Sequence, residues 1–274
     1  RQRQMCIRDS RNRTSPFAFT GNKFEFRMVG SSDSVSSPNV VLNTIVAEAF
    51  KEAADELEKA DDFDMALHDF IKRTMSEHKR IIFSGNGYSE EWVEEAERRG
   101  LPNLKCGIDS VDSLITDKAI RLFESFGVYT RAELESRAEI EYESYAKTVN
   151  IEAKTMIDMA GKQIIPAVIR YTANLAESLT AVQTACPEAD TSVQKELLLE
   201  ASDLLSDMKT ALARLTEETE KAAKVEGNKE RAYAYHDIVT AAMEELRRPA
   251  DKLEMIVDKE LWPLPSYGDL IFEV

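Results

Sequence analysis

The stretch TRAELESRAEIEYESYAKTVNIEAKTMIDMAGKQIIPAVIRYTANLAESLTAVQTA, residues 130–185, decides the fold class. Thr130 and Glu133 stand at capping-box spacing, a hydroxyl at the N-cap and a carboxylate three residues on. Apolar side chains then recur every third or fourth position, at Tyr142, Tyr145, Val149, Ala153, Met156, Ala160 and Ile164. They resume at Val168, Tyr171, Leu175, Leu179 and Val182. That period belongs to an amphipathic helix rather than to a strand. At roughly 1.5 Å per residue the helix is on the order of 75 Å long. Pro166 should kink it, because proline removes one backbone bond and crowds the preceding turn.

The same period continues C-terminally. Cys186-Pro187 interrupts it, and a second long helix carries Leu197, Ala201, Leu204, Met208, Ala211 and Leu215 in near-heptad register. After the turn at Gly227-Asn228 a third carries Tyr235, Ile238, Ala242, Leu246, Leu253 and Val257, with Pro249 as a kink. Three amphipathic helices joined by short turns hide their stripes by packing as an antiparallel bundle over 130–259. The tail LWPLPSYGDLIFEV is too rich in proline for helix and too apolar to float free. It is expected to dock on the bundle over 260–274, with a short extended segment at Leu270–Phe272.

Upstream the pattern is more broken. Pro38-Asn39 reads as a helix start with Asn39 as N-cap, and Leu42, Ile45, Val46, Ala49, Phe50, Ala53 and Leu57 form its buried stripe. Asp61, Asp62 and Asp64 begin a second helix of about twenty residues, since first-turn acids complement the helix dipole. A short helix from Glu90 to Arg99 stops at Gly100 and Pro102, residues 101–116 read as irregular, and another short helix reaches Phe126 before Gly127. Ahead of all these, KFEFR at 23–27 alternates strictly and reads as a strand, with turn residues on both sides. The expected fold class is therefore mainly α with a small β portion (α+β). Residues 1–10, RQRQMCIRDS, show neither periodicity nor cap and read as a non-native, adapter-derived segment, so that the sequence proper starts near Arg11, inside a longer protein.

Composition narrows the function. The 274 residues hold 35 basic and 50 acidic side chains, a net charge of −15, which argues against a chain devoted to gripping nucleic acid. An apolar share of 43% supplies a core, and no apolar run approaches the roughly 20 residues of a membrane span. The reading is of a soluble chain with no membrane partner. Cys6, Cys106 and Cys186 are odd in number and far apart, the usage of a reducing compartment. His68, His78 and His236 have no histidine or cysteine at ligand spacing, so zinc sites and Cys-His hydrolases are disfavoured. Gly85-Asn86-Gly87 lacks the ending of a phosphate-binding loop and reads as a plain turn.

The strand at 23–27 carries the chemistry, and two readings of it stand open. It is either an edge strand with a solvated charged face, or a site in which Glu25 binds a metal while Arg13, Lys23 and Arg27 meet anionic oxygens. Guanidinium forks suit carboxylate and phosphoryl oxygens because they donate two parallel hydrogen bonds. A carboxylate among such cations is the equipment of phosphoryl transfer, where positioning and charge neutralisation do most of the catalysis.

These residues also carry a family likeness. NRTSPFAFTGNKFEFR at 12–27 resembles the carboxy-terminal active-site segment of glutamine synthetases, specifically type III. IIFSGNGYSEEW at 81–92, NIEAKTMIDMA at 150–160 and ELWPLPSYGDL at 260–270 are similar to the same type. The resemblance implies an ATP-dependent glutamate–ammonia ligase of glutamine biosynthesis and nitrogen metabolism, working through a γ-glutamyl phosphate. It implies ATP and Mg2+ (or Mn2+) as cofactors, glutamate and ammonia as substrates, a cytoplasmic location and a homo-oligomer, a dodecamer of two stacked rings. Carried over residue by residue, Arg13 contacts the transferring phosphate and Lys23 the nucleotide. Glu25 is a metal ligand, and Arg27 holds glutamate and its phosphorylated form. Ala18 stands where other types place a second arginine, and Pro38-Asn39 reverses their Asn-Pro order. The resemblance divides the chain into the end of a catalytic domain at 11–60 and a helical carboxy-terminal region at 61–274. It is a fragment that is incomplete and inactive alone. The competing reading, a non-catalytic helical scaffold, rests on the bundle and leaves the charged strand face without a role.

Overall fold

A computed structural model describes residues 17–19, 24–26, 34–83 and 89–272, with backbone alone at 17–19, 24–26 and 267. The chain divides into two compact units, Arg1–Arg131 and Ala132–Val274.

In the first unit, strands β1 (Phe17–Phe19) and β2 (Phe24–Phe26) pair antiparallel, Phe17 with Phe26, Ala18 with Glu25, Phe19 with Phe24. This corrects the α+β fold class. Three residues per strand make a hairpin and not a sheet layer, no third strand joins it among the described residues, and helix occupies nearly everything else. Alternation in KFEFR runs for only five residues, whereas helical periodicity runs through most of the chain.

Helix α1 spans Ser36–Leu57 and begins earlier than Asn39. The Asn39 N–H already bonds the Val35 carbonyl at 3.2 Å, so Asn39 lies inside the helix and caps nothing. Ser34 Oγ instead accepts from Ser36 N–H at 3.2 Å. Pro38 falls in the first turn, where a missing N–H costs no helical bond. Its expected buried stripe is also corrected. Thr44 is the buried position, while Ile45 and Phe50 are exposed.

Helix α2 (Phe63–Glu77) is capped by Asp62, whose side chain accepts from Met65 N–H at 3.1 Å. It is shorter than the expected twenty residues because the chain tightens into a 3-10 turn at Lys79–Ile81. Arg73 reaches across to Glu56 with a two-pronged bond of 2.8 and 2.6 Å. Helix α3 (Glu90–Arg98) ends at Gly100, whose φ of +69° needs a residue without Cβ strain. Residues 101–116, expected to be irregular, contain helix α4 (Gly107–Val111) and a 3-10 turn at Asp112–Ile115. Helix α5 (Asp117–Ser125) is capped by Thr116. Among the described residues, Ile108, Val111, Ile120 and Phe123 are the buried apolar residues of this unit.

The second unit is built on one long rod. Helix α6 (Arg131–Met159) passes through a π-turn at Ala160–Ile164 into α7 (Ile165–Ala185). The Ile165 N–H reaches back five residues to the Ala160 carbonyl, and Pro166 follows in the first turn of α7. The disturbance expected at Pro166 thus takes the form of a widened turn that absorbs the ring and lets the helix continue. Helix α8 (Ser192–Ala222) returns along the rod, and Leu212 lies 3.8 Å from where Gly161 would carry a Cβ. Gly227, at φ +84°, reverses the chain into α9 (Asn228–Ala234), a second π-turn (Tyr235–Val239) and α10 (Thr240–Glu254). This third helix is tied back to the rod by Asn228 donating to Glu139 at 2.8 Å and Tyr235 donating to Asn150 at 3.1 Å.

Ala153, Val168, Ala201, Met208, Leu215, Val239, Ala242, Leu246 and Leu253 form the centre of one continuous core. Alanine recurs there because small side chains let helix axes approach closely. The second π-turn corrects one expected core position. It lengthens the local turn to five residues, with Thr240 N–H bonding the Tyr235 carbonyl, so Val239 is buried and Ile238 is 44% exposed.

The tail is helical where extension was expected: α11 covers Tyr267–Phe272. Ser266 and Asp269 form a reciprocal cap. Asp269 Oδ2 accepts from Ser266 N–H and Oγ–H at 2.7 Å each, and Ser266 Oγ accepts from Asp269 N–H at 3.3 Å. Lys259 adds an ion pair to Asp269 at 2.8 Å, while Leu261, Trp262 and Leu264 pack on the core. Lys259 and Ser266 hold the Asp269 carboxyl down at about 2. A depressed carboxyl stabilises above its ordinary value of 3.8 and loses that contribution as pH falls toward 2. Amide protection factors at 266–272, taken relative to the intrinsic exchange rate at each pH, are therefore expected to hold from neutrality to about pH 4 and to fall below it. Asp269→Asn should show low protection at every pH, and unchanged protection in that variant would rule the clasp out.

Candidate functional site

Of the residues expected to carry chemistry, Arg13, Lys23 and Arg27 lie outside the described residues. Glu25 is described by its backbone, in β2 opposite Ala18. The hairpin explains how the two halves of NRTSPFAFTGNKFEFR come together: the segment after the Asn-Arg-Thr triplet runs alongside the segment that holds Glu25. A short strand suits such a site, because backbone pairing fixes register independently of the side chains it presents.

Elsewhere, no group of three or more His, Cys, Asp or Glu side chains that could hold a metal ion occurs among the described residues. His68 and His78 are exposed, and His236 contacts the Asp237 carboxylate at 2.7 Å with the Tyr145 ring 6.2 Å away. Cys106 is half-buried and Cys186 exposed, both as free thiols. No described helix is long and apolar enough to cross a membrane.

Among the surface depressions of the described residues, two bear on a site outside the hairpin. A groove of about 650 Å³ runs beside the first π-turn, with Ile157, Gly161, Leu212 and Ala213 in its wall and Lys154 and Glu217 among its mixed charges. A smaller depression of about 410 Å³ is lined, among the described residues, by Lys79, Arg80, Ile82 and Arg99. Sequence reasoning missed the second. Its only signal was adjacency, His-Lys-Arg at 78–80 and Arg-Arg at 98–99, in two segments that only folding brings together.

Comparison with known proteins supplies what the described geometry does not. Residues 66–183 match the glutamine synthetase C-terminal domain. The chain is 37% identical over 275 residues to the type-3 glutamine synthetase of Dictyostelium discoideum, covering 96% of this chain and 37% of that protein. It is 37% identical over 273 residues to the glutamine synthetase of Bacteroides fragilis (strain YCH46), with shares of 96% and 37%. It is 35% identical over 273 residues to that of Butyrivibrio fibrisolvens, with shares of 96% and 38%. The chain thus spans a little over a third of the length of the curated relatives it matches.

Proposed function

The chain belongs to the glutamine synthetase family, and from that premise we propose that it supplies the carboxy-terminal part of an ATP-dependent glutamate–ammonia ligase. The observation that carries the proposal is likeness through nearly the whole chain, and not through one short motif. In this reading residues 11–60 close the catalytic domain, and 61–274 form the helical region that follows it.

The reaction has two steps. A γ-carboxylate oxygen of glutamate attacks the terminal phosphorus of ATP and ADP leaves. The ammonia nitrogen then attacks the acyl carbon, the carbon–oxygen bond breaks, phosphate departs, and the nitrogen releases one proton to leave glutamine. Arg27 holds the glutamate and the acyl phosphate made from it, and its fork can grip both oxygens of a planar carboxylate. Arg13 meets the phosphoryl oxygens as they change partner, and Lys23 binds the nucleotide. Mg2+ or Mn2+, when bound, neutralises phosphoryl charge. Glu25 is the carboxylate that the stretch 12–27 offers it, and the remaining ligands belong to other parts of the ligase. The same reading gives a cytoplasmic homo-oligomer, a dodecamer in this family, with glutamate and ammonia as its partners and no nucleic acid or membrane.

One carboxylate cannot hold a multi-metal site, so the 274-residue chain assayed alone with ATP, glutamate, ammonia and Mg2+ is expected to form no glutamine. Turnover that requires both ATP and glutamate would contradict that assignment. A helical scaffold accounts for the bundle but not for the family likeness.

A further inference from the structure

The depression lined by Lys79, Arg80, Ile82 and Arg99 has a defined construction. Arg99, at the end of α3, spends its guanidinium on the protein: Nη1 donates to the carbonyls of Arg80 at 3.2 Å and Ile82 at 2.8 Å, and Nε donates to Glu95. The same group lies over the Trp92 ring at 5.7 Å, and Trp92 stacks on Phe83 at 4.0 Å. The turn at 79–83 is thereby fastened to α3, and its backbone is held before any ligand arrives.

Lys79 and Arg80 are the unspent cations. Both are exposed, and neither has an ion-pair partner among the described residues. Of the three cations lining the depression, Arg99 has a carboxylate partner, Glu95. Arg80 Nη1 lies 3.9 Å from where Gly100 would carry a Cβ, which sets its guanidinium beside the carboxyl end of α3. The helix dipole accounts for one cation there. It does not account for a concavity whose described lining is three cations and Ile82 in a chain of net charge −15, with Glu95 paired to one of them.

We infer that this depression binds a small oxyanion, a phosphoryl or carboxylate group, through Lys79 and Arg80, with Arg99 holding the turn in shape. A fixed backbone and the unspent donors of Lys79 and Arg80 favour an anion of a few oxygens, which the depression has ample room to admit.

The test is a titration of the isotope-labelled 274-residue chain with inorganic phosphate, followed by amide NMR at an ionic strength held constant with chloride. A parallel titration uses succinate. Saturable shifts at Arg80, Ile82 and Gly100 are expected, with about tenfold weaker binding in the Lys79→Gln/Arg80→Gln double variant and unchanged spectra elsewhere. Whichever anion binds more tightly assigns the chemistry. Phosphate and succinate shifts indistinguishable from those of chloride would overturn the inference, as would equal affinity in the variant. Capture of a polyglutamate peptide without saturable binding of either small anion would also overturn it, in favour of a protein-docking surface.

Discussion

Replacing Arg27 by alanine in a full-length ligase carrying this segment is expected to lower kcat/KM for glutamine formation by about a hundredfold or more, with the melting temperature unchanged. Removal of one preorganised group facing developing phosphoryl or acyl charge costs roughly that much, about 3 kcal/mol, because nothing else in the site can be redirected to replace it. The residue's neighbours sharpen the expectation. Arg27 follows β2 directly, and β2 is held by three paired positions, so the backbone leading to residue 27 is fixed by pairing and not by its own side chain. Arg27→Lys keeps the charge but loses the fork, and should recover only part of the activity. Activity equal to wild type in Arg27→Ala would leave the strand structural, as the scaffold reading holds.

The second large effect is on stability. Leu246 is 2% exposed in the bundle core, and its replacement by alanine removes buried methyl groups and leaves a cavity that three packed helices cannot close. The expected cost is about 2–5 kcal/mol, read as a fall of on the order of 10 °C in the unfolding of the second unit. Ile238→Ala, in contrast, should stay within about 0.5 kcal/mol, since that side chain, inside the π-turn, is turned out of the core. Equal losses at the two positions would mean the third helix is an unbroken α-helix. Chemical denaturation followed by circular dichroism measures both.

The contrast between Ile238 and Val239 also shows where sequence reading stops. Periods of three and four located Tyr142, Val149, Ala153, Val168, Ala201, Met208, Leu215, Ala242, Leu246 and Leu253 in the core, because a straight helix repeats its buried face without reference to anything outside itself. A π-turn shifts that face by one residue, and the choice between Ile238 and Val239 depends on which side chain meets the neighbouring helix, a tertiary matter. The Ser266–Asp269 cap was legible as a serine followed three positions later by an acid, yet Pro263 and Pro265 argued for extension. In α1 the expected stripe assumed a partner for Ile45 and Phe50, and both are exposed. The α+β class failed for a matter of extent, since strict alternation identifies a strand without saying how many strands accompany it.

The proposed site rests on a different kind of signal. Arg13, Lys23, Glu25 and Arg27 were singled out by charge alternation and by family likeness, and the pairing of β1 with β2 gives the segment its register. The Lys79–Arg80–Arg99 depression joins two segments about twenty residues apart, and no periodicity announces a contact made by one arginine reaching two carbonyls.

The central proposal is that this chain supplies the carboxy-terminal share of a glutamine-forming ligase. A chimera tests it most directly, with the matching segment of the Bacteroides fragilis glutamine synthetase replaced by residues 11–274 of this chain and glutamine formation measured with ATP, glutamate and ammonia. The account predicts turnover that depends on all three substrates and is abolished by Glu25→Ala. A chimera that assembles like its parent yet forms no glutamine would contradict it.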